Sequence, residues 1–180
     1  MDGAGTAIGG GFGGADPLDT GHPGTEFDVG ERIVIASDHA AVEMKAMLVA
    51  HLEAAGHQVT DLGPEGVDSV DYPDFGYRIA DSIAAKRADR GIALCGSGIG
   101  ISISVNRHPA CRCALVSEPL SARLAREHND ANVIAMGARL VGPEMAKACI
   151  DIFIATPFGG DRHQRRIDKL TRPIFEKEPE

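Results

Sequence analysis

From residue 32 onward, short runs of aliphatic and β-branched residues alternate with longer segments whose apolar positions recur three and four residues apart. RIVIAS (32–37), HQVTDLG (57–63), RGIALC (90–95), RCALVS (112–117) and NVIAMG (132–137) have the length and composition of buried strands. Between them, AVEMKAMLVAHLEAAG (41–56, closed by Gly56), DFGYRIADSIAAKRA (74–88), a segment starting near Gly98, PLSARLAREH (119–128) and PEMAKACIDIFIA (143–155) carry the helical period. A last helix is expected from about Arg162 to Arg172. Strand and helix in strict alternation predict an α/β chain with a parallel sheet and helices on both faces.

Residues 1–30 break this pattern. They hold ten of the 22 glycines, show no apolar period, and lack the basic start and apolar centre of a secretory signal. They read as a flexible extension, leaving 31–172 as one domain and 173–180 as a tail. The 180 residues, 43% hydrophobic and 24% charged, suffice for one such domain. The formal net charge of −8 argues against a general affinity for nucleic acid or for an anionic membrane. The acids Asp2, Asp16, Asp19, Glu26 and Asp28 account for much of it, so 18 basic face 21 acidic residues in the remainder. No stretch is apolar for the roughly 18 residues of a membrane span, and the expectation is a soluble, cytoplasmic protein. Cys95, Cys111, Cys113 and Cys149 show no CxxC spacing and are expected as thiols.

In open parallel sheets, ligands sit outside the carboxyl ends of the strands. Here those ends bear Asp38 and His39, then Cys95 to Gly100, then Ser117-Glu118, then Gly137 to Arg139. The turn CGSGIG is not a dinucleotide fingerprint, because Ile101 stands where the third glycine should fall. Nor is it a nucleotide P-loop, which needs a lysine. A cysteine phosphatase cradle would need an arginine at Ile101. What remains is a thiol at a strand end, followed by backbone N–H groups and the Ser97 hydroxyl. Such N–H groups favour a thiolate and an enolate-like oxyanion, which suits proton abstraction beside a carbonyl. The residues alone also allow Cys95 as a core thiol, Asp38 as a helix cap and His128 as a partner of a helix dipole. Near the C-terminus, Arg162 and Arg166 at i and i+4 would form a fork suited to phosphate.

Taken together, ASDHA (36–40), DYPDF (71–75), GIALCGSGIGISISVNR (91–107), SEPLSARLAREHNDANVIAMGAR (117–139) and GGDRHQRRI (159–167) resemble type B ribose-5-phosphate isomerases, a family that includes the galactose-6-phosphate isomerase subunits. The resemblance runs from about Arg32 to Leu170 and implies a single-domain, three-layer, Rossmann-like fold with a five-stranded parallel sheet and a C-terminal helix. It implies aldose–ketose isomerisation between ribose 5-phosphate and ribulose 5-phosphate, with no metal and no organic cofactor. Cys95 would be the base shuttling a proton between C2 and C1. Ser97 and the N–H groups of Gly96, Gly98, Ile99 and Gly100 would stabilise the enediolate. His128 would open the furanose ring with help from Asp38, Asn129 would orient sugar oxygens, and Tyr72 would line the pocket. His39, Arg139, Arg162 and Arg166 would hold the phosphate, with Arg165 the other candidate at the last position.

Some members of the family replace the cysteine by a glutamate six residues later; Ile101 there assigns this chain to the thiol type. The resemblance also implies a homodimer with shared active sites and admits a tetramer. The alternatives are an isomerase of galactose 6-phosphate, allose 6-phosphate or a tetrose phosphate, and a non-catalytic sugar-phosphate sensor.

Overall fold

The chain alternates between strand and helix from Arg32 to Thr171 in a computed structural model that describes Met1 and residues 30–171. Except for Met1 and Gly30, the expected extension and the tail lie outside the described residues. The strands are β1 (Arg32–Ser37), β2 (Gln58–Asp61), β3 (Arg90–Cys95), β4 (Cys113–Leu115) and β5 (Val133–Gly137). The helices are α1 (Val42–Ala54), α2 (Tyr72–Ala84), α3 (Ile99–Val105), α4 (Pro119–Asn129), α5 (Pro143–Ala155) and α6 (Gln164–Thr171). Two 3-10 turns, His39–Ala41 and Asp161–His163, precede α1 and α6. All strand pairs are parallel, in the order β2-β1-β3-β5-β4. The order reverses between β1 and β3, which is where the crevice of an open sheet forms.

Strand periodicity distributes the core. Ile33, Ile35, Ile92, Leu94, Ile134 and Met136 point to one face, where Leu48 of α1, Ala122 of α4 and Ile150 and Phe153 of α5 cover them. Val34, Ala36, Ala93, Cys95, Val133 and Ala135 point to the other, under Phe75 and Ile79 of α2 and Ile101 and Val105 of α3. The central strands β1, β3 and β5 are covered on both faces, which is why they read as nearly unbroken apolar runs. Each fully buried Leu or Ile contributes about 1.5–3 kcal/mol.

The boundaries differ from the sequence expectation where local chemistry intervenes. Asp38 accepts a hydrogen bond from the Ala40 N–H at 2.9 Å and opens a 3-10 turn, so α1 begins only at Val42. Helix α2 starts at Tyr72, because Pro73 suits a first helical turn, and stops at Ala84 before Lys86 takes a positive φ of 56°. The two edge strands are short, and α6 is preceded by a 3-10 turn rather than continuing back to Arg162. Lys45, buried in α1, donates to both oxygens of Asp61 and to the Pro64 carbonyl, pinning the chain after β2. Among the described residues, no helix is long and apolar enough to cross a membrane.

Candidate active site

Cys95 ends β3 beside the end of β1, and the Asp38 N–H donates to the Leu94 carbonyl at 3.1 Å. Strand pairing thus puts the thiol and the Asp38 carboxyl at one edge of the sheet. An open cleft of about 340 Å³ there is lined by Asp38, Tyr72, Cys95, Gly96, Ser97, Gly100, Arg139 and Leu140. The thiol is 4% exposed, and Asp38 is 7% exposed.

The glycine turn is shaped by close approach. Gly98 has φ 77°, and a Cβ there would lie 2.6 Å from Leu115 Cδ1, 2.8 Å from the Met136 carbonyl carbon and 2.9 Å from the Gly137 nitrogen. Its N–H donates to Cys95 Sγ at 3.1 Å, a contact that strengthens when the sulfur is a thiolate. The Ile99 N–H donates to Ser97 Oγ at 3.3 Å. Two of the N–H groups expected to hold an enediolate are therefore turned to the thiol and the hydroxyl. Gly100 lies under the Tyr72 ring, where a Cβ would come within 2.5 Å, and Gly96 lies under the Arg139 guanidinium, 3.4 Å from a Cβ position. Replacing Gly98 by Ala should cost about 2–4 kcal/mol, combining left-handed strain with overpacking. Gly56→Ala is the control, with φ 91° but nothing within 4 Å of its Cβ, and should cost only about 1–2 kcal/mol. Urea melts of the two variants measure the difference.

His39, half-buried, accepts the Val70 N–H at Nδ1 over 3.2 Å, which leaves Nε2 as the protonated nitrogen in that tautomer. The other expected residues stand elsewhere. Cys95 pairs with Gly137 and Gly91 with Val133, so β5 begins at the end of the sheet opposite the thiol. Helix α4 returns to that far end, where His128 and Asn129 form its last turn only a few residues before Val133. Four residues of strand, about 13 Å, separate the two edges. Helix α5 returns to the same edge and brings Arg162 and Arg166 there; both lie close enough to His163 to affect its titration.

The end of α4 is tightly held. Asp130, in the left-handed conformation at φ 44°, accepts hydrogen bonds from Arg112 at 2.6 Å and from the buried Arg126 at 2.8 Å. Arg112 Nε also donates to the Asn129 and Asp130 carbonyls, and Arg126 to the Ala131 carbonyl. The His163 ring stacks on His128, with centroids 4.4 Å apart and planes 10° from parallel. Sequence reasoning did not single out His163, although it lies within the quoted GGDRHQRRI; only tertiary packing puts it against α4.

The remaining cysteines do not line this cleft. Burial pushes the Cys111 and Cys149 thiols up to about 11 and Cys113 in the same direction. Among the described residues, no group of three or more His, Cys, Asp or Glu could hold a metal ion.

Comparison with known proteins gives a consistent picture. The Ribose/Galactose Isomerase family matches residues 33–170. Ribose-5-phosphate isomerase B of Escherichia coli K12 is 40% identical over 141 residues, covering 78% of this chain and 95% of the relative. A solved ribose 5-phosphate isomerase from Thermotoga maritima superimposes with TM-score 0.77 at 47% identity, covering 78% of this chain and 97% of its own. The type B ribose 5-phosphate isomerase of Trypanosoma brucei superimposes with TM-score 0.77 at 38% identity, covering 79% and 97%.

Proposed function

This chain belongs to the Ribose/Galactose Isomerase family and is a sugar-phosphate isomerase; from that premise we propose that it interconverts ribose 5-phosphate and ribulose 5-phosphate by Cys95-mediated proton transfer through an enediolate. The observation that carries the reading is the cleft in which a thiol, a carboxyl, a tyrosine and a guanidinium converge at the reversal of strand order.

The chemistry is a proton shift within one molecule. The Cys95 thiolate removes the C2 proton of the open-chain aldose, and the electron pair passes through the C1=C2 enediolate. Return of the proton to C1, with transfer of the O2 hydroxyl proton to O1, completes the ketose, so atoms and electrons balance without a redox partner. The Gly98 N–H donates to the Cys95 sulfur, and Ser97, Gly96 and Gly100 line the cleft in which the enediolate oxygens would lie. Arg139 and His39 anchor the phosphate on this side, and its binding energy orients C1 and C2.

His128, Asn129, Arg162 and Arg166 complete the site from a second copy of the chain. Two features support this. Those residues occupy the opposite edge of the sheet from Cys95 in their own subunit. Beside the Cys95 cleft, Ile99, Ile103, Leu115 and Leu140 are exposed, an apolar surface suited to a second subunit.

The test is a substrate panel. Ketose formation from ribose 5-phosphate should exceed that from allose 6-phosphate and galactose 6-phosphate. Preference for a hexose phosphate would keep the chemistry and change the substrate, while no turnover of any sugar phosphate would leave a binding protein.

A further inference from the structure

We propose that His163 is a positioning residue for ring opening, its imidazole holding the stacked His128 ring in the orientation that meets the furanose oxygen. The inference rests on the reading of His128 as the ring-opening group.

In the last turn of α4, the His128 side chain is 36% exposed, and Glu127 Oε1 stands 3.8 Å from its Nε2, too far for a hydrogen bond. The contact that defines its ring plane is the nearly parallel face of His163 at 4.4 Å. The backbone brings that ring into place. The Gly159 N–H donates to the Glu127 carbonyl at 2.9 Å, docking the segment after α5 onto the last turn of α4. A Cβ at Gly159 would lie 2.9 Å from that same oxygen, so the approach requires glycine. Gly160 and Asp161 then take φ of 62° and 46°, and the Gly160 carbonyl accepts the His163 N–H at 3.0 Å, closing the 3-10 turn that carries the imidazole.

The charges around the pair favour a neutral platform. Partial burial, His128, and the Arg162 and Arg166 guanidinium groups all hold the His163 imidazole below its usual range, with Glu127 alone opposing them. His163 therefore sheds its proton at a lower pH than an ordinary histidine, and a neutral ring stacks on its neighbour without like-charge repulsion.

A readout that bypasses the ring separates positioning from general structural damage. Ribose 5-phosphate is a furanose in solution and must be opened, whereas ribulose 5-phosphate, its 5-hydroxyl blocked by phosphate, is already open. The equilibrium constant ties kcat/KM in the two directions together, so both fall by the same factor; exchange of a C1 proton of ribulose 5-phosphate with deuterated solvent, by contrast, needs only the enediolate. For His163→Ala, kcat/KM for ribose 5-phosphate should fall roughly tenfold to a hundredfold, the scale of a misplaced catalytic group. The C1 exchange should stay within about a factor of two. His163→Phe, which keeps a flat neutral ring, should restore most of the lost rate. An equal loss of exchange, or a Phe variant no better than Ala, would overturn the proposal. His128→Ala run in parallel keeps the two ideas apart. Lost turnover with retained exchange there, without the same pattern in His163→Ala, sinks only the positioning role, whereas full ribose 5-phosphate turnover by His128→Ala sinks the reading beneath it.

Discussion

Cys95→Ala should lose at least a hundredfold in turnover, within the roughly 10²–10⁴ that a positioned general base supplies, and should bind sugar phosphate nearly as well as the unaltered protein. The thiol is almost buried in the lining of the cleft and accepts the Gly98 N–H. Removing Sγ takes away the proton acceptor and leaves the phosphate anchors untouched. Cys95→Ser should be similarly inactive, because a hydroxyl gives up its proton far less readily than a thiol and this turn offers no separate base to take it. Steady-state rates with titration calorimetry on the same preparations separate the two effects. If Cys95→Ala turns over freely, the base is the other acidic group of the cleft, Asp38, and Asp38→Asn becomes the decisive variant. If Cys95→Ala fails to bind, the thiol is holding the glycine turn in shape rather than taking a proton.

The second large effect is recovery of activity from two inactive chains. Within one subunit, Cys95 and His128 stand at opposite ends of the strands, about 13 Å or more apart, and no rearrangement short of unfolding the sheet joins them. If two subunits pair about a twofold axis, a hybrid of Cys95→Ala with His128→Ala carries both lesions in one site and none in the other. Co-expressed in equal amounts, half of the dimers are hybrids and each has one intact site, so activity should return to about a quarter of the unaltered level. Each variant alone should remain nearly inactive. Failure to recover activity in hybrids isolated with two different affinity tags would mean that each subunit contains its own complete site.

Much of the architecture was legible along the chain. The strands β1, β3 and β5 announced themselves because burial on both faces leaves no room for polar positions, so periodicity, length and β-branching all agree. Helix α5 matched its expected bounds because Gly142, then Pro143 in the first turn, mark its start without ambiguity. The start of α2 did not match, since Tyr72 and Pro73 belong to the helix although the apolar period becomes visible only from Phe75. Edge strands β2 and β4 were overextended in the reading, as a strand with one partner ends wherever pairing stops rather than where its composition changes.

By itself the sequence determined the fold class, the order of elements, and the residues capable of chemistry, for those depend on local periodicity, turn geometry and side-chain type. The tertiary structure alone decided where that chemistry stands. Alternating parallel strands and antiparallel helices send Cys95 to one edge and His128 to the other, and helix α5 carries Arg162, His163 and Arg166 to the second edge as well. The stack of His163 on His128 joins residues 35 positions apart through a turn docked on the end of α4. No spacing in the chain encodes that contact, because it depends on the length and direction of two packed helices rather than on the residues between them.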